Sequence, residues 1–391
     1  MRGATLLVLA AGGLGACRMA GKSPAELEAE LRRDVRTVLE GELVTLHSPY
    51  GEVESRDYLG VTEREAGLVR ARLDAPREPK VRTYLAPTTP PQEIWEAPHH
   101  DDVAGWASDG FLTLYVSSTP GLAALRAEFQ DDTLRHELAH VYARRLGWSR
   151  ERWFNEGLAC VVEETVVRAG VLQELPVSER VIQARAEARA GSLATLLAWA
   201  PGQRLSLEEQ GERYAQAEAL VRFLLARAPG ASWPERVAWV HERTQAQVQE
   251  LEPQWLAWLA ELDTVAALRA HAVDAAGRLE AASLLAPLLE AGAQELATRA
   301  GDELALELLT DPACTSGAIS FLLFFRAEAL TEPDLEALER AQNPVLRLVA
   351  GALRTRRGEP VDRAGLSALW NALTESERER YATLAFVLEL E

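Results

Sequence analysis

Residues 136–159, HELAHVYARRLGWSRERWFNEGLA, constrain this chain more than any other stretch. In HELAH, His136 and His140 are four residues apart, and at 3.6 residues per turn that spacing stacks both imidazoles on one helix face. Two nitrogen ligands can then converge on one ion. Glu137 lies about 100° round the helix from His136. It therefore misses the ion itself and reaches a water beside it, where a general base must stand. The helix predicted through Leu146 meets a cap at Gly147, and a polar loop over 149–152 leads into a second helix. Trp153, Phe154, Leu158, Val161, Val162 and Val166 give that helix an apolar face, and Glu156 near its start can turn back toward the histidines.

Catalytic zinc takes three protein ligands and keeps one position open, and two histidines with one glutamate form a known set. The pair HELAH and WFNEGLA resembles the gluzincin metallopeptidases, in which H-E-x-x-H is followed by a helix bearing N-E-G-x-A, and within them the peptidase MA-like branch. The resemblance covers roughly residues 40–228. It implies a zincin-like fold holding one Zn2+ ion, with His136, His140 and Glu156 as ligands and Glu137 as the base. Two features depart from the pattern: the gap from His140 to Glu156 is shorter than in the thermolysin-like and aminopeptidase branches, and no Gly-x-Met-Glu-Asn segment precedes HELAH.

A metal ligand needs an orienting partner, and Glu163 falls seven residues after Glu156, two turns along the same face. Its place in NEGLACVVE resembles the acidic position that follows N-E-G-x-A in related aminopeptidases, which favours it over Glu164. Tyr214 opens YAQAEALVRFLL, which resembles the Y-A-Q-x segment of peptidase MA-like proteins. The resemblance makes its hydroxyl a donor to the oxyanion formed in peptide hydrolysis. A buried helix tyrosine with no catalytic part is the other reading. The resemblance also implies that the strand expected over 111–117 borders the cleft and pairs with an extended substrate backbone. His99, His100, Asp101 and Asp102 follow Pro98 with no helical or strand frame and are read as a solvated loop. Cys160 and Cys314 could pair in an oxidising compartment, although the reading favours two separate buried thiols.

At the N-terminus, Met1 and Arg2 precede an apolar run from Ala4 to Leu14 that is too short to span a bilayer and suits a signal-peptide core. The segment Leu14, Gly15, Ala16, Cys17 resembles a bacterial lipobox, which implies lipidation at Cys17, attachment to a membrane through that anchor, and a place in the bacterial cell envelope. Net charge is −18, from 59 acidic and 41 basic residues, which argues against an extended nucleic-acid surface.

An amphipathic helix is expected over 23–39, strands over 43–47 and 81–86, and a helix from Thr62 through Leu73. Beyond Ser178 helical patterns dominate. The expected fold class is thus an α+β zincin-like catalytic domain followed by an all-α helical domain. Its divisions are a signal peptide over 1–16, the α+β metallopeptidase part over 17–170, a helical part completing the cleft over 171–262, and a helical C-terminal domain over 263–391, a possible surface for a protein partner. The tryptophans Trp255 and Trp258 and the run Phe321 to Phe325 are expected in helical cores. The function expected is zinc-dependent hydrolysis of a peptide or protein substrate. Two rivals remain: a non-catalytic lipoprotein scaffold with a vestigial zinc domain, and a zinc hydrolase acting on a non-peptide amide.

Overall fold

The computed structural model describes residues 24–87, 105–108, 111–116, 122–148, 151–200, 203, 205–312 and 314–390. Cys17 and its preceding apolar run lie outside the described residues, as do His99, His100, Asp101 and Asp102. Among the described residues no helix is long and apolar enough to cross a membrane. The chain is mixed α and β and divides into two compact units, Met1–Leu175 with Gln183–Ala260, and Pro176–Ile182 with Glu261–Glu391.

The first unit opens with α1 (Pro24–Leu31) and a 3-10 turn at Arg32–Asp34, followed by β1 (Thr37–Glu40) and β2 (Val44–Ser48). The helix expected through residue 39 therefore stops early. Thr37, Val38, Leu39 and Glu40 alternate half-buried and exposed, and they pair antiparallel with β2 from Thr37↔Ser48 to Glu40↔Thr45. The spacing of Leu31, Val35 and Val38 was compatible with a helix, but the two-residue period of the last four suits a sheet edge better.

Next come α2 (Glu52–Leu73), β3 (Val81–Pro87), β4 (Gly105–Ser108) and β5 (Phe111–Val116). On α2, Thr62, Glu65, Ala66, Val69 and Leu73 form one buried stripe at helical spacing. The helix begins ten residues before the expected start at Thr62. Its first turns carry almost no apolar face, with Val53 exposed, so hydrophobic periodicity is silent there. The five strands lie in the order β1-β2-β3-β5-β4. β2, β3 and β5 run parallel, and β1 and β4 flank them antiparallel. Val44, Leu46, Val81, Leu85, Phe111 and Leu112 bury the sheet's side chains.

This order corrects the expectation for residues 111–117. β5 is hydrogen-bonded to β3 on one side and, over Phe111–Leu114, to β4 on the other, so over those residues its backbone has no ladder left for an incoming strand. The outer strand on that side is β4.

Two long helices follow, α3 (Leu122–Arg145) and α4 (Arg152–Glu163), then the hairpin β6 (Thr165–Arg168) and β7 (Val171–Glu174). α3 runs unbroken from Leu122 to Arg145, so the helix bearing HELAH starts well before His136. The hairpin turns at Ala169 and Gly170, both in the left-handed region at φ 50° and 77°, as a two-residue turn of the primed type requires. A boundary at 170/171 would cut through this turn, and the helical stretch after it packs into the same unit. Val166 consequently lies on β6 and not on the helix bearing Glu156.

The unit is completed by α6 (Ser192–Leu197), α7 (Leu207–Arg227), α8 (Trp233–His241), α9 (Gln245–Gln249) and α10 (Glu252–Ala260), while α5 (Glu179–Glu187) is divided between the units after Ile182. A full capping box at Ser206 and Glu209 fixes where α7 begins. Trp255 is buried and Trp258 packs its ring 5.9 Å from Phe223.

The second unit is helical among its described residues, from α11 (Thr264–His271) through α12 (Ala275–Glu290), α13 (Arg299–Leu309), α14 (Thr315–Phe321), α15 (Glu332–Glu339), α16 (Pro344–Arg356), α17 (Arg363–Asn371) and α18 (Glu375–Arg380) to α19 (Ala382–Leu388). Leucine and alanine from these helices make one continuous core. A π-helical turn at Leu322–Arg326 continues α14 and rotates its register. Phe321, Leu322 and Leu323 are buried as expected, whereas Phe324 and Phe325 come out to the surface.

Candidate metal centre

The site is assembled by α3, α4 and α7, all within the first unit. Every residue of α4 is buried, from Arg152 to Glu163, polar ones included. A helix enclosed on all sides needs close neighbours, and α4 packs against α3 and α7. Gly157 sets how near α7 comes: a Cβ there would stand 2.4 Å from the carbonyl oxygen of Ala217. The glycine in NEGLA is thus a packing requirement, a backbone-to-backbone approach that no larger residue permits.

His136 and His140 lie on the buried face of α3, with ring centroids 4.8 Å apart and planes at 80°. Glu156 of α4 turns back to them. Its Oε2 is 3.2 Å from Nε2 of His140 and 3.7 Å from Nε2 of His136. These three residues form a buried group that could hold a metal ion, with one donor atom from each lying within 4.8 Å of the others.

The donor chemistry fits a cation. Nε2 of both histidines and both oxygens of Glu156 are buried without a hydrogen-bond partner, as is Oε1 of Glu137. Buried polar atoms left unpaired cost roughly 1–3 kcal/mol each, so such a convergence calls for an occupant. Charge agrees. Among the described residues, Glu137, Glu156 and Glu163 are buried around the histidines with the guanidinium of Arg152 beside them and the charge of Arg144 reaching Glu137, while Arg135 is matched by Glu65 at 2.6 Å. A divalent ion offsets the excess negative charge.

The local fields point the same way. Burial opposes charge on His136, yet the neighbouring Cys160, Glu156 and Glu163 raise its pKa well above the usual histidine value. The spot favours positive charge, whether carried by a proton or a metal. Burial likewise opposes charge on Glu156, but His140 and His136 outweigh it and hold the carboxyl below its ordinary range. Glu137 goes the other way: burial pushes its carboxyl up, and His140 and His136 offset only part of that. Two neighbouring buried glutamates thus differ: Glu156 is held ionised, a state that suits a cation, and Glu137 is the more basic carboxylate.

Glu163 stands where an orienting carboxylate belongs, its Oε2 2.9 Å from Nδ1 of His136. Cys160 lies in the same corner, and His136, Cys160 and Glu163 form a second buried cluster. Among the described residues no carboxylate reaches His140 in this way, its Nδ1 being buried without a hydrogen bond. Cys160 and Cys314 are not joined by a disulfide, and they belong to different units.

Tyr214 reaches the site from α7. Its ring centroid is 6.3 Å from that of His136, and it meets Trp199 edge-on at 5.5 Å. Burial, with the nearby charge of Glu156, raises its pKa well above 10, so the hydroxyl keeps its proton. The structure therefore brings His136, His140, Glu156 and Glu163 together, with Glu137 buried beside the histidines on α3 and the Tyr214 ring 6.3 Å from that of His136.

Sequence reasoning passed over two further neighbours. Arg152 sits one turn before Glu156, with Nε 3.9 Å from Oε1, and its guanidinium lies 4.2 Å above the ring of Trp199. The four-residue spacing to Glu156 could have revealed Arg152; nothing in the sequence near Trp199 points to the site. Compared with family models, curated proteins and solved structures, the chain matches none.

Proposed function

We propose that this chain is a zinc-dependent peptide hydrolase of gluzincin type, tethered to the bacterial cell envelope by lipid at Cys17. The observation that carries the catalytic reading is the convergence of His136 Nε2, His140 Nε2 and Glu156 Oε2, all buried and unbonded to protein donors, beside the basic carboxylate of Glu137. Two imidazoles and one carboxylate are a zinc donor set, and three protein ligands leave a position open for chemistry.

A bound zinc ion supplies Lewis acidity, polarising the scissile carbonyl and bringing the pKa of a water toward about 7. Glu137 takes a proton from the attacking water and returns it to the leaving amine, a task that suits a carboxylate made more basic by burial. Tyr214, protonated and adjacent, donates to the developing oxyanion. Glu163 holds the His136 ring in the tautomer with hydrogen on Nδ1, leaving Nε2 as the donor lone pair. Substrate backbone adds to the β4 edge at Gly105–Ser108, where main-chain hydrogen bonding requires no particular side chain.

The test is cleavage of a peptide library by soluble protein beginning after Cys17, compared with Glu137→Gln, with and without chelator. Cleavage lost in both Glu137→Gln and chelator-treated protein, with zinc still bound stoichiometrically by the variant, is the expected result. Stoichiometric zinc with no cleavage by the parent would favour the scaffold reading, and cleavage that survives Glu137→Gln would end the assignment of the base. Anchoring is tested separately by Cys17→Ala, which should leave the membrane fraction.

A further inference from the structure

We infer that Arg152, locked against Trp199, is a positioning residue that decides which oxygen of Glu156 faces the histidines. The inference rests on reading His136, His140 and Glu156 as a metal site.

A guanidinium in the first turn of a helix is opposed by the helix dipole, and its burial in α4 adds a desolvation cost. Arg152 is nonetheless buried at this position, so its surroundings must compensate. Three contacts do so. The planar group stacks over Trp199 at 4.2 Å, Nη1 donates to the carbonyl oxygen of Ala200 at 3.1 Å, and Nε faces Oε1 of Glu156 at 3.9 Å. The first two anchor the guanidinium to the segment following α6, and the third presents it to the carboxylate.

The two oxygens of Glu156 are consequently unlike. Oε2 approaches both histidine Nε2 atoms, and Oε1 is the one turned to Arg152. At 3.9 Å the guanidinium acts on Oε1 through charge and not through a hydrogen bond; that attraction would bias the carboxylate to offer a cation Oε2 alone and leave room at the metal. Without the guanidinium, both oxygens can swing to the ion. Trp199 also touches Tyr214 edge-on at 5.5 Å, and Tyr214 lies 6.3 Å from His136, so the clamp closes a ring of contacts around the site. Lysine cannot replace this fork, because a point charge on a flexible stem neither stacks nor fixes direction as a planar group does.

The probe is cobalt(II) added to metal-depleted soluble protein starting after Cys17, read by visible absorption and by chelator competition, with thermal unfolding as the check on folding. The parent should show the intense absorption of a four-coordinate ion. Arg152→Lys and Arg152→Leu should both lower that intensity, as the coordination number rises, and weaken cobalt binding about tenfold or more, the size usual for an outer-shell loss. Trp199→Leu, which removes no charge and no ligand, should shift the spectrum the same way by less, and Trp199→Phe should restore it by keeping an aromatic face. Parental spectra and affinities in folded Arg152→Lys and Trp199→Leu would overturn the inference while leaving the metal site intact. A parent that binds no cobalt would instead overturn the metal reading, and this inference with it.

Discussion

Nδ1 of His136 lies 2.9 Å from Oε2 of Glu163, while Nε2 of the same ring faces Oε2 of Glu156 at 3.7 Å. One imidazole thus lies between two carboxylates, which under the proposed metal site would orient it on one side and ligate beside it on the other. Glu163→Ala should weaken zinc binding about 10–100-fold, with Glu163→Gln milder because an amide oxygen still accepts from Nδ1. Competition against a chromophoric chelator measures it. Equal affinity in parent and Glu163→Ala would reduce Glu163 to a bystander.

Tyr214 separates catalysis from binding. Its buried ring packs on His136 and Trp199, and its hydroxyl stays protonated because burial and the charge of Glu156 both disfavour the phenolate. Tyr214→Phe keeps that packing and removes one donor. Turnover should fall about 10²–10³-fold, the typical cost of losing an oxyanion donor, with zinc content and unfolding temperature unchanged. Steady-state kinetics on a cleaved peptide decide the point, and unaltered kcat removes Tyr214 from the mechanism.

Gly157 links the motif to the packing beneath it. Its missing Cβ would meet the Ala217 carbonyl oxygen at 2.4 Å and carbon at 2.7 Å, both backbone atoms of α7 that cannot rotate away. Gly157→Ala must push α4 from α7, at a cost of about 1–3 kcal/mol for an overpacked core. Because Glu156 precedes it directly, the same shift should weaken metal binding. Chemical denaturation and chelator competition should move together; a stable variant with parental affinity would show that the helices have more slack than the geometry implies.

The site was far more legible than the fold around it. His136 with His140 on α3, and Glu156 with Glu163 on α4, sit at helical spacings, where sequence distance converts directly into spatial direction, while the meeting of the two helices was legible only through the likeness of the paired motifs. Tyr214 came through a likeness of segments, since contact between α4 and α7 is tertiary. The elements misread were those whose burial pattern is weak or ambiguous: the exposed start of α2, the short β1, and the β6–β7 hairpin, where Val166 was assigned to the preceding helix. The neighbour order β3-β5-β4 depends on long-range pairing that periodicity does not encode, so the outer strand was misplaced by one. Arg152 escaped notice because an arginine near a helix start reads as a surface charge until its burial is seen.

In the second unit, Asp334 gives a pH-dependent prediction. Its carboxylate accepts from Arg299 Nη2 at 3.0 Å and from the backbone N–H of Thr331 at 2.9 Å, so it both ties α13 to α15 and caps α15. The hydrogen bond from Arg299 leads in lowering its pKa from 3.8 to about 2, helped by Thr331 and opposed by burial. A carboxyl depressed in the folded state binds protons more readily when unfolded, so its stabilisation is full above the unfolded value and fades as pH falls from about 4 to about 2. Asp334→Asn keeps an oxygen for the cap and removes the charge. The variant should therefore be less stable than the parent at pH 6, and the gap should narrow steadily at pH 4 and pH 3. Added salt should also shrink the gap at pH 6, because Arg299 is half exposed and the pair is screened. Thermal midpoints of both proteins at the three pH values measure it, and a gap that does not change with acidification would show that the ion pair contributes nothing to folding.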